Sequence, residues 1–277
     1  DVEMDGDLDI VLGTTAAAPQ VLRNNGDGTW ETSAPFNAPS GLHSFAWADL
    51  DHDGDPDAAL LGSDGATRVF LNLQAGTFDL VEAGAPPGVL TLTAADINAD
   101  GVVDLVTLDR AGVVRRTSVS GGAWQTTDLV TWADGAGAVG ASLFTADLDN
   151  NGALDLMASS QAGATAWLGT DAGGLSALAP LAGLGGFAIQ DLDGDGRLDL
   201  AALSDAGVVR ARGRGERPYH WQVVRPRAQP VAGDQRINSF GVGGEVEVRA
   251  GLLTQKQVLT GTPAHFGLGA RTEADVL

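Results

Sequence analysis

The chain has 277 residues and a formal net charge of −20, from 36 acidic against 16 basic side chains. That balance argues against nucleic acid or an anionic membrane as a partner. Without cysteine there is no disulfide framework and no thiol chemistry, and no apolar run approaches the roughly 20 residues that span a bilayer. The length suffices for one large all-β domain or two smaller ones with a buried core.

In chain order, residues 1–216 read as five units of one design. The first, 1–38, opens on an acidic loop with Asp1, Glu3, Asp5, Gly6 and Asp9. A strand at 20–23, a turn at 24–28 and a strand from Trp30 follow. Asn-Gly and Asp-Gly in that turn supply the positive φ angles of tight hairpins. The second, 39–86, has a strand at 45–48, the loop of Asp49, Asp51, Asp53, Gly54 and Asp57, and strands at 57–61, 68–71 and 78–80. Four short strands per unit is the count of a propeller blade. The third, 87–136, places 90–94 before a loop of Asp96, Asn98, Asp100, Gly101 and Asp104, with 113–115 and 124–126 after it. The fourth, 137–180, has 143–145, then Asp147, Asp149, Asn151, Gly152 and Asp155, then 165–168. The fifth, 181–216, has 187–189, then Asp191, Asp193, Asp195, Gly196 and Asp199, then 208–210.

The loop starts, residues 1, 49, 96, 147 and 191, lie 48, 47, 51 and 44 residues apart, as blade-by-blade repetition would place them. Oxygen-bearing side chains at positions 1, 3, 5 and 9 around a glycine at 6 suit a hard cation. Ca²⁺ takes about six to eight oxygens, and a tight loop with alternate donors turns them towards one point. Position 7 reads Asp7, Asp55, Val102, Ala153 and Arg197, so a backbone carbonyl is the economical donor there. An EF-hand would need a glutamate at position 12, where Leu12, Leu60, Thr107, Ala158 and Ala202 stand, and a following helix. Each loop instead runs into four or five apolar residues, a strand-like length. The expectation is about five Ca²⁺ ions, which would halve the net charge. Sites of modest affinity fill where calcium is millimolar, outside the cell.

After the fifth unit, residues 210–227 hold Arg210, Arg212, Arg214, Arg217, Arg225 and Arg227. They read either as a patch for an acidic partner or as a linker lying against the acidic repeats. Residues 217–277 then alternate apolar and polar at 221–223, 245–249 and 257–259, as a small separate β domain would. Catalytic constellations are hard to find. No Gly-x-Ser-x-Gly elbow occurs, and the four histidines (His43, His52, His220 and His265) do not cluster with zinc-ligand spacing. The Gly-x-Gly runs at 213–215, 241–243 and 267–269 lack a strand–turn–helix context and are turn glycines.

The five loops with their flanking strands resemble FG-GAP/VCBS repeats, the blades of integrin α-type β-propellers, and residues 21–30 look like that family's hairpin between third and fourth strands. The resemblance implies Ca²⁺ in the loop between the first two strands of each blade. Integrin-type propellers have seven blades, so the five visible here are read as an arc or as part of a seven-bladed ring. Residues 238–248, Gln255 and 265–269 are similar to the ASPIC/UnbV domain, which follows such repeats in cartilage acidic protein and bacterial secreted proteins. The family's Trp-Pro-x-Gly continuation is missing and no strand precedes Asp1, so the chain reads as a piece of a longer protein, with an apparently truncated tail.

The expected protein is therefore all-β: a calcium-binding β-propeller followed by a small β-sandwich-like domain. Its expected role is that of a non-catalytic binding, adhesion or scaffold protein, secreted or at the cell surface, or periplasmic in a bacterium. Its partner would be a protein or glycan of the cell surface or extracellular matrix, with no nucleic acid and no membrane insertion. The alternative is a subunit of a surface layer, filament or envelope complex, with homo-oligomers included. A propeller-scaffolded enzyme comes third.

Overall fold

The computed structural model describes residues 1–14, 17–38, 41–170, 173–215, 217–228 and 238–277. The expected unit boundaries at 38/39 and 216/217 touch residues outside that set. Among the described residues there is no α-helix, and the one helical turn is a 3-10 turn at Ala133–Gly135.

Five antiparallel sheets follow one another along the chain. The first contains β1 (Ile10–Leu12), β2 (Gln20–Asn24) and β3 (Trp30–Ser33). The second contains β4 (Leu42–Ala48), β5 (Asp57–Gly62), β6 (Thr67–Asn72) and β7 (Phe78–Val81). The third contains β8 (Val89–Ala95), β9 (Asp104–Asp109), β10 (Val113–Ser120) and β11 (Ala123–Thr131). The fourth is built from β12 (Ser142–Ala146), β13 (Asp155–Ser160), β14 (Gly163–Gly169) and β15 (Leu175–Ala177), with β16 (Leu181–Ala182) added to β14. The fifth has β17 (Gly185–Gln190), β18 (Asp199–Ser204) and β19 (Gly207–Ala211). Within each sheet the strands pair in chain order, as hairpins do.

The short apolar runs after the loops become the most buried strands, and β5, β9 and β13 are buried at every residue. Alternate residues of a strand point to opposite faces, and burial of both faces is why these runs do not alternate apolar with polar. Ala58 and Leu60 of β5 join Val21, Phe36 and Phe70 between the first and second sheets. Ala59 and Leu61 point the other way and join Leu92 and Leu105 of the third. Val106 and Leu108 of β9 then meet Leu156 and Trp167 of the fourth sheet, and Met157 of β13 meets Leu200 and Ala202 of the fifth. The core is thus a series of layers between successive sheets, with β4, β8, β12 and β17 adjacent around the inside. This is a propeller-like stack.

The two end sheets differ. In the first, Ile10 is 45% exposed, and in the fifth Leu203 and Val208 are 55% and 73% exposed.

The tail forms two further ribbons, β20 (His220–Val224) with β23 (Ala264–Gly269), and β21 (Glu245–Ala250) with β22 (Leu253–Val258). Val224, Val248, Leu259, Phe266 and Leu268 make its own cluster. The strand expected at 257–259 lies slightly earlier in the structure, ending at Val258, because the pairing Glu245–Val258 sets its end.

Candidate metal centres

All five acidic loops fold by the same set of hydrogen bonds. The aspartate at position 1 accepts from the backbone N–H of position 6: Gly6 to Asp1 at 3.0 Å, Gly54 to Asp49 at 3.0 Å, Gly101 to Asp96 at 3.0 Å, Gly152 to Asp147 at 2.8 Å and Gly196 to Asp191 at 2.8 Å. The side chain at position 5 accepts from the N–H of position 7, from Asp7, Asp55, Val102, Ala153 and Arg197 in turn. The aspartate at position 9 accepts from the N–H of position 2, as Asp57 does from Leu50 at 2.9 Å. In four copies its second oxygen takes an N–H from the end of β2, β6 or β14 or from just beyond β19: Asn24, Asn72, Gly169 and Gly213. Each loop is a closed knot, ahead of β1 in the first copy and between two strands of its sheet in the other four, and the knot itself uses the carboxylates as acceptors.

The backbone supports this shape with two left-handed residues per loop. Position 6 has φ between 79° and 99°, which only glycine adopts without strain. Position 4 is also left-handed, at Met4, His52, Ala99, Asn150 and Gly194, with φ from 57° to 76°. That position looks free in the sequence because its side chain varies; the glycine in the fifth copy was the available signal.

The loops differ in how their carboxylates gather. Oxygens of Asp49, Asp51 and Asp53 lie within 4.8 Å of one another, as do those of Asp147, Asp149 and Asp155 and those of Asp191, Asp193 and Asp199. Among the described residues, no such carboxylate trio is found in the first or third loop. There Arg23 holds Glu3 at 2.5 Å, while Arg116 stands 3.6 Å from Asp100 and 3.5 Å from Asp104, and Asn98 donates to Asp100 at 2.8 Å. Asp5, Asp9, Asp53, Asp195 and Asn151 keep their places in the loop bonds.

Burial dominates the electrostatics. It pushes Asp57, Asp104 and Asp147 up to about 7 and Asp155 up to about 8, against the hydrogen bonds that favour their charged forms. Burial also raises Asp51, with Asp53 adding repulsion, and raises Asp96. Asp193 moves down because Arg210 hydrogen-bonds it. One oxygen of Asp51 is buried without a hydrogen-bond partner, and one of Asp104 has no hydrogen bond but faces Arg116 at 3.5 Å. Oxygen donors of this hardness with unmet charge fit Ca²⁺.

The tail lies across the face that carries these loops. Asn238 donates its N–H to Gly6 of the first loop at 3.0 Å, and Gly243 packs against Trp47 and Pro56 beside the second. The charge of Lys256 acts on Asp96 of the third. At the fourth, Gln255 donates to Asp147 at 3.3 Å, His265 pairs with Asn150 at 2.7 Å, and Gly269 donates to the Asn150 carbonyl at 2.9 Å. A Cβ at Gly267 would overlap Asp147 and the Asn150 backbone. The Trp221 ring covers Gly196 of the fifth loop, whose carbonyl accepts from Asn150 at 2.9 Å. Between the tail and the inner strands β8, β12 and β17 remains a cavity of about 620 Å³, whose polar lining includes Thr93, Thr145, Gln190, Gln257 and His265. Of the arginine-rich stretch, Arg210 and Arg212 lie on Asp193 of the fifth loop, and Arg225 stacks over Phe240.

Residues 1–60 and 53–107 match the FG-GAP-like repeat. FG-GAP-like repeats are thus found over residues 1–107. The fourth and fifth loops lie beyond the matched residues, yet fold by the same bonds. None of the curated proteins matches the chain. Among solved structures, a lectin of Agrocybe aegerita that recognises non-reducing terminal N-acetylglucosamine is similar at 21% identity and a TM-score of 0.55. The similarity covers 78% of this chain and 62% of the lectin, so the chain spans less than two thirds of that relative's length. A protein from Lactobacillus plantarum is similar at 15% identity and a TM-score of 0.49, over 97% of this chain and 81% of its own. At such identities the likeness to the lectin shows the fold alone, all-β and propeller-like. No helix among the described residues is long and apolar enough to cross a membrane.

Proposed function

We propose that the protein is a calcium-stabilised, non-catalytic binding module that acts outside the cell on a protein or glycan partner. The observation that carries the metal part is the convergence of Asp49, Asp51 and Asp53, and of Asp147, Asp149 and Asp155, in loops with no soft ligand. Asp57 and Asn151 would add donors to these sets, together with the position-7 carbonyls of Asp55 and Ala153. Ca²⁺ would supply the positive charge that these buried carboxylates lack, so that the loop and its strands hold without mutual repulsion. FG-GAP-like repeats and a lectin-like fold support binding or adhesion as the role. They make glycans, with terminal N-acetylglucosamine as first probe, the partner class to test before proteins. We assign residues 217–277 to the ASPIC/UnbV type on residues 238–248, Gln255 and 265–269, and give this segment the role of a cap on the loop face.

The deciding experiment is a thermal melt in millimolar Ca²⁺ and in chelator, with native mass spectrometry on both samples. A calcium-dependent rise with bound ions is expected; equal melts without ions would sink the metal reading. A glycan array in calcium then tests the partner class.

A second reading, as a subunit of a surface layer or envelope assembly, is favoured by the apolar side chains on the two end sheets, Ile10 and Leu12 on one, Phe187, Leu203 and Val208 on the other. Sedimentation separates the readings: a polymer favours assembly and a discrete monomer favours the binding module.

A further inference from the structure

We infer that the five loops fall into two electrostatic classes: the second and fourth take a divalent cation, whereas the first, third and fifth are neutralised by an arginine of their own blade. This rests on the reading of the loops as calcium sites.

The division follows from strand register. One step beyond the pairs Ile10–Leu22, Ala58–Phe70, Leu105–Thr117, Leu156–Trp167 and Leu200–Ala211, the last loop aspartate faces Arg23, Leu71, Ser118, Leu168 and Arg212 respectively. Two residues earlier, on the same strand face, stand Val21, Val69, Arg116, Ala166 and Arg210. Arginine thus occupies at least one of these two places in the first, third and fifth sheets, and only apolar residues occupy them in the second and fourth.

Each of these arginines engages its loop. Arg23 holds Glu3, Arg116 stands 3.5 Å from Asp104, and Arg210 bridges Asp193 and Asp199, the latter at 2.8 Å. Arg212 also holds Asp193 and comes within 3.8 Å of Asp195. A guanidinium stays charged at any pH at which the protein folds, and its fork suits carboxylates. Carried on a strand, it occupies the loop without the cost of association that a free ion meets. A divalent ion would have to enter beside a fixed positive charge or displace it. The carboxylates of the second, fourth and fifth loops converge alike, but only in the fifth do strand-borne arginines already stand on them; the second and fourth present none. Arg217 also acts on Asp149, from beyond the fifth sheet rather than from the fourth. The second loop is therefore the stronger of the two cation sites.

The test is native mass spectrometry of the full chain titrated with Ca²⁺ alone, each sample accompanied by a melt to separate a lost ion from a lost fold. Two ions are expected on the unaltered protein, three on Arg116→Met and one on Leu71→Arg. Three or more ions on the unaltered protein would overturn the two classes and leave the calcium reading standing. No ions at all would overturn the calcium reading itself. Two ions on the unaltered protein and on both folded variants would overturn the role given to the arginines.

Discussion

The second and fifth loops carry the same residue types at every donor position: aspartate at 1, 3, 5 and 9, with glycine at 6. Their hydrogen-bonded frames match as well, down to the N–H groups that their last aspartates accept. Yet at position 3 burial and the repulsion of Asp53 raise Asp51, while Asp193 is held down by Arg210. The loop motif thus sets where the oxygens point. Which charge faces them is decided by the neighbouring strand, more than ten residues further on.

The largest expected effect comes from removing the last aspartate of each loop. Asp57→Ala strands the N–H groups of Leu50 and Asn72, each worth about 1–3 kcal/mol when left unsatisfied. Asp199→Ala does the same to Leu192 and Gly213 and also removes the Arg210 contact at 2.8 Å, so in chelator it should be destabilised in urea at least as much as Asp57→Ala. Calcium should then shift the gap against Asp57→Ala, because only Asp57→Ala gives up a bound ion, worth about 2.7 kcal/mol at a hundredfold excess over Kd. A gap that ignores calcium would erase the distinction between the loops.

Next comes the pH dependence of the metal-free protein. Asp57, Asp104, Asp147 and Asp155 have folded values raised from 3.8 to about 7 or 8, so the folded state holds their protons more tightly than the unfolded chain. Their contribution is fully present below 3.8 and is lost as pH rises through about 7 to 8. In chelator the melting temperature should fall between pH 5 and pH 8, and calcium should flatten the slope. A rising slope in chelator would contradict the burial argument.

A smaller effect tests the tail. Gly267→Ala would push a methyl into Asp147 and the Asn150 backbone, a strain of about 1–3 kcal/mol. Hydrogen exchange should quicken at residues 264–269 and at the fourth loop, with the second loop unchanged. Equal loss at both loops would mean that the tail clamps the whole face and not the fourth loop in particular.

The smallest effect is His265, whose value is lowered from 6.5 by burial despite the Asp191 charge. Burial disfavours its charged form, so its contribution is present above 6.5 and is lost as pH falls below that value, while its ring nitrogen keeps the Asn150 amide oxygen as acceptor. His265→Gln should flatten that part of the curve at the fourth loop.

The strand-rich fold was legible because both faces of β5, β9 and β13 are buried, which leaves a continuous apolar run that turn residues bound on either side. The acidic loops were legible because an oxygen donor at each alternate position is a strong local demand. The left-handed residue at position 4 was not, since Met4, His52 and Ala99 have nothing in common except the backbone angle imposed on them. Asn150 also escaped notice. Its importance comes from Gly196, His265 and Gly269, which no local pattern brings near it. The loop arginines left a faint trace: they stand 11 to 14 residues beyond the last loop aspartate, from Asp9 to Arg23, Asp104 to Arg116, and Asp199 to Arg210 and Arg212.

By itself, then, the sequence determined the donor types and the strand runs, which are written within stretches of about ten residues, and the period, which is the recurrence of those stretches. Only the tertiary structure decided which loops face a guanidinium and that the tail lies across them. Those outcomes depend on hairpin register and on packing between segments far apart in the chain, as His265 is from Asn150, 115 residues away. No short-range pattern encodes such distances, because they are settled only when β13 and β23 are both in place.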